Sequence, residues 1–68
     1  MDDKAKLVAV ISHWVEHNES HLDDYRRGGE TAAKLGLASV KAEIDAAVDN
    51  LSQSNDHLKK ALATMMKR

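Results

Sequence analysis

The sequence predicts an all-α fold, an antiparallel two-helix hairpin, on three observations. Alanine and leucine dominate its apolar content while proline and phenylalanine are absent, a composition that favours helix over strand. Apolar residues recur at alternating steps of three and four in both halves, with no sustained alternation of period two. Gly36-Leu37 stands near the midpoint, where a reversal of the chain would fall.

The first helix is expected to start near Asp2 or Asp3, whose carboxylates suit the positive end of the helix dipole, and to run toward Lys34. Gly36 fits the left-handed position just past its end, with Leu37 as the apolar residue that follows. Ser39 is the expected N-cap of the second helix, which continues to Lys67-Arg68, where cations meet the negative pole. The weak point is Gly28-Gly29. Two glycines inside a helix cost about 2 kcal/mol relative to alanine. A break there would leave a short middle helix from Glu30 to Leu35 and a three-helix arrangement. A continuous helix is the expectation, because the stripe Leu7, Ile11, Trp14, Asn18, His21, Tyr25, Gly28, Ala32, Leu35 keeps its phase across the pair.

The second helix carries the matching stripe Val40, Ile44, Ala47, Leu51, Ser54, Leu58, Ala61, Met65. Folding about Gly36-Leu37 sets Leu7 against Met66, Ile11 against Leu62, Trp14 near Leu58 and Tyr25 against Val48, all apolar layers of a coiled-coil-like pair. The same register puts Asn18 opposite Asn55, a polar layer suited to fixing the alignment. Val8, Val15 and Leu22 then line an uncovered flank with Val48, Leu62 and Met66. A two-helix unit of this size has little core. Homodimerisation into a four-helix bundle is the simplest cover.

At 68 residues the chain reads as a single domain spanning positions 1–68. Without cysteine, disulfides, thiolate metal sites and cysteine nucleophiles are excluded. Ten basic and eleven acidic residues are interspersed to a net charge of −1, which leaves no electrostatic footprint for a nucleic acid or an anionic membrane. The longest apolar run, Leu7 to Ile11, is far shorter than a membrane span or signal-peptide core, so the cytoplasm is the expected compartment.

Function, as far as the sequence carries it, rests on the histidines. His13, His17 and His21 follow one another at the i to i+4 step, which lets two imidazoles of one helix face chelate one ion. The hairpin register brings His57 level with His17. The expected metal ligands are therefore His17, His21 and His57, with His13 or Asp24 completing the shell around Zn²⁺, Ni²⁺, Co²⁺ or Cu²⁺. The bland reading is a solvated row of histidines on a protein-interaction or structural module that docks on a partner. A third reading places a small organic ligand or cofactor between two subunits, around Asn18, Asn55 and Tyr25. Trp14 and Tyr25 read as core anchors. No nucleophile elbow or phosphate loop is present, so no enzyme is expected.

The segment His13-Trp14-Val15-Glu16-His17-Asn18 with His21 resembles an uncharacterised group of small helical proteins and C-terminal domains from anaerobic archaea and bacteria, whose pattern looks like HW[IV]EHNxxH. Tyr25-Arg26, Gly36-Leu37, Asn55 with Leu58, and Ala61-Leu62 continue the resemblance over most of the chain. Some relatives carry a His-rich tract before the motif, which implies metal handling. This chain lacks that tract, and has Gly28-Gly29 where relatives tend to carry helix-favouring residues.

Overall fold

The computed structural model describes residues 2–66 as two helices, α1 (Asp3–Lys34) and α2 (Ala38–Met66). They lie side by side as an antiparallel hairpin. Asp2 caps α1 as its position suggests: its carboxylate accepts the amide of Ala5 at 2.7 Å, and Asp3 adds negative charge to the first turn. Helix α1 passes through Gly28-Gly29 without a break. Gly29 is buried, with Ile44 and Asp45 of α2 against it. The missing side chain of Gly29 thus lies where the second helix packs, while Gly28 is exposed.

Leu35 ends α1 and Gly36 takes φ = +73°, a conformation open to glycine at no steric penalty. The amide of Gly36 then donates to the carbonyl of Ala33 (3.1 Å) and that of Leu37 to Ala32 (2.9 Å), the paired bonds of a Schellman motif. Leu37 serves twice, because its own carbonyl accepts from Lys41 and starts α2. Ser39 therefore lies inside the first turn and is not the cap. A three-residue connection leaves no room for a separate capping residue. The expected helix end at Lys67-Arg68 lies outside the described residues.

The seam differs from the expected one by a turn of α1 about its axis. Ile11, Leu22 and Ala32 are the buried apolar residues, Val8 and Val15 are half-buried, and Leu7, Trp14 and Tyr25 are exposed. The flank expected to be open is covered at Val8, Val15, Leu22, Val48 and Leu62 and open only at Met66, and part of the expected core faces out. On α2 the same rotation buries Asn55 and exposes Ser54. The cause lies in α1 itself, which carries apolar residues on three adjacent rows and can bury only two. The rows chosen seat Val8, Val15, Leu22 and Gly29 at the contact, which are slimmer than an indole and a phenol, so the helices approach closely.

A single layer results. The principal extents are 51 × 17 × 12 Å and the radius of gyration is 15.7 Å, against about 11 Å for a compact globule of this length. No helix among the described residues is long and apolar enough to cross a membrane.

The glycines make separable predictions, readable by thermal and urea unfolding at fixed chain concentration. Gly28→Ala should raise stability by about 1 kcal/mol, since the nearest atom to an added Cβ is 4.0 Å away. Gly29→Ala should also gain, because its Cβ would sit 3.5 Å from Ile44 and Asp45, an ordinary contact. Gly36→Ala should lose about 1 kcal/mol through its left-handed φ.

Candidate functional site

Asn18 and Asn55 meet, as the register required. The Asn18 amide Nδ2 donates to Asn55 Oδ1 at 3.1 Å, and Asn55 Nδ2 donates to the carbonyl of Val15 at 3.3 Å. Asn55 is the most deeply buried polar residue described, at 2% exposure, and no buried side-chain polar atom among the described residues lacks a partner. Both amides are engaged with the protein itself. This is the arrangement of a register-setting layer, and no pocket opens beside it among the described residues. Tyr25, the third residue expected around an organic ligand, stands apart from the asparagines at 40% exposure.

The histidines of α1 form a column with Tyr25 as its last member. The His13 and His17 rings stack at 5.8 Å between centroids, His17 and His21 meet edge to face at 4.3 Å, and His21 and Tyr25 stack at 6.2 Å. Each step is one i to i+4 interval, which places side chains one above another on a helix. Within the column the Nε2 atoms of His17 and His21 lie 2.9 Å apart, a hydrogen bond whose donor is set by the tautomers. His21 is half-buried and His17 exposed. Tyr25 belonging to this column was open to sequence reasoning, since it continues the same four-residue step.

His57 does not join them. It follows the buried Asn55 by two residues, about 200° around α2, and is exposed on the outer side of the hairpin. The fourth expected ligand, Asp24, is taken by Arg27 at 2.6 Å. Among the described residues no group of three or more His, Asp or Glu side chains is arranged to hold a metal ion. What one chain offers is therefore a bidentate imidazole pair. Across the helices the ion pair of Lys59 with Glu19, at 3.2 Å, is half-exposed and contributes little.

Residues 7–65 match the family described as a domain of unknown function, DUF8180, and the chain belongs to that family. No curated protein and no solved structure matches it.

Truncating Asn55 to alanine should lower stability by about 1–3 kcal/mol, because the Asn18 amide loses its buried acceptor. A double-mutant cycle with Asn18→Ala should show coupling of about 1 kcal/mol in urea denaturation. Additive losses would mean that the two amides act independently.

Proposed function

We propose that this hairpin is a non-catalytic assembly module that pairs with a second copy of itself into a four-helix bundle. The observation that carries the reading is a second stripe on α1, spaced three and four like the first and left without a partner. It runs Leu7, Val10, Trp14, His17, His21, Asp24, Gly28. Leu7 and Trp14 are each 46% exposed and Val10 42%, in a molecule whose buried apolar residues are few. The stripe lies roughly 100° around α1 from the seam with α2. A helix in a four-helix bundle meets two neighbours at such an interval.

The stripe complements itself. Two copies of α1, antiparallel about the level of residue 19, set Val10 of each against Gly28 of the other and Trp14 level with Asp24, with Tyr25 the next residue along. Val10 then fills the gap that Gly28 leaves, as interdigitating packing requires. The net charge of −1 per chain puts little repulsion between copies. Leaving Leu7, Val10 and Trp14 in water would instead expose three large apolar side chains together at one end of a small protein.

Sedimentation of the full chain across a concentration series tests this reading. A dimer is expected, and Trp14→Glu and Val10→Glu should each weaken it about tenfold or more while helicity is kept, since each replaces an apolar side chain of the contact with a charge, at position 14 one level with Asp24 of the other copy. A monomer at every concentration, or a dimer indifferent to both substitutions, overturns it. A monomer would leave the stripe to a different protein.

A further inference from the structure

From the position of His17 and His21 within the unpartnered stripe we infer a divalent transition-metal site that is shared between two copies of the chain, each contributing that histidine pair. The inference rests on the self-association proposed above and adds a ligand to it. A single chain provides two nitrogens, and the other candidate ligands, His57 and Asp24, are turned outward and ion-paired respectively. A closed zinc site calls for four ligands. One chain is half a site.

The second copy supplies the remainder by symmetry. In the antiparallel register about residue 19, the one that sets Val10 against Gly28, His17 of one α1 falls level with His21 of the other, so four imidazoles gather around the two-fold axis. Contacts made twice by the same patch are the property of a two-fold interface. The pair is also at the right span. With metal–nitrogen bonds of about 2.0–2.1 Å, the observed 2.9 Å between Nε2 atoms corresponds to a bite near 90°. Tetrahedral coordination needs about 3.3 Å, within reach of a small side-chain rotation. In the free chain one Nε2–H points at the other nitrogen. An ion takes the place of that proton once the donor imidazole carries its hydrogen on Nδ1 instead, which leaves both Nε2 lone pairs for the metal.

The surroundings favour a defined ligand geometry. His13 stacked on His17 and Tyr25 stacked on His21 hold the two rings from above and below along the helix. At the proposed interface Trp14 lies one turn away and would shield the ion from water. Imidazole nitrogen without thiolate suits Zn²⁺, Co²⁺, Ni²⁺ or Cu²⁺. The charge of a divalent ion is compatible with a dimer that is itself slightly negative.

Sedimentation equilibrium of the full chain, run with chelator and again with Co²⁺ or Zn²⁺, tests the site, and the visible spectrum of Co²⁺ reports its coordination. The expected result is one ion per two chains, with association tightened about tenfold or more by the ion. His17→Ala and His21→Ala should each abolish the tightening by metal, read as the ratio of association with and without the ion for that same variant, and His57→Ala should leave that ratio as in the parent chain. Circular dichroism of each variant confirms folding, which alanine on a helix surface favours. One ion per chain with no change in association, loss of binding in His57→Ala, or no Co²⁺ spectrum overturns the shared site. A metal-free dimer that ignores metal removes this inference alone. A chain that stays monomeric in both conditions removes the self-association reading as well.

Discussion

One layer of hydrogen bonds, from Asn18 to Asn55 and from Asn55 to the carbonyl of Val15, decides how α1 stands against α2. Apolar contacts between two such helices are non-directional, and a slide by one heptad would preserve most of them. The amides are not so tolerant. Displaced against leucine or valine, each would lose its partner at about 1–3 kcal/mol, a large fraction of what a hairpin with so few buried apolar residues can supply. Register here is enforced by a penalty on the alternatives more than by a gain in the native pairing.

With the register set, the rest of the surface follows from thinness. A rod only 12 Å through at its narrowest is one helix deep, so each side chain has cover on one side at most. Burying Val8, Val15 and Leu22 requires turning Leu7, Val10 and Trp14 outward, because the two groups share one helix and lie on different sides of it. The exposed stripe is the complement of the seam. The imidazole pair stands in that stripe, and so any surface that covers the tryptophan also reaches the histidines.

Much of this was legible in the sequence. The Asp2 cap, the left-handed Gly36, the unbroken α1 and the meeting of Asn18 with Asn55 each follow from residue type and position. The choice of seam was not, because periodicity identifies the rows that carry apolar residues but cannot rank three adjacent ones. What ranked them is side-chain bulk at the contact, where Val8, Val15 and Leu22 stand in place of an indole and a phenol, a feature that hydrophobic patterning does not register. Ser39 failed as a cap because the connection is shorter than residue preferences reveal. The placement of His57 failed for the same reason as the seam. Levelness along the axis was read correctly, but rotation about it decides which way an imidazole faces.

The three-residue link has a last consequence. Only Leu35, Gly36 and Leu37 separate two long helices, and one of them holds the left-handed φ that reverses the chain. If that glycine took helical dihedrals, α1 and α2 would fuse into a single straight rod, and two rods lying antiparallel would recreate every layer of the hairpin, asparagines included, between chains. Closed and domain-swapped forms thus share their interior and differ at one bend. The conformational choice of a single residue selects between them.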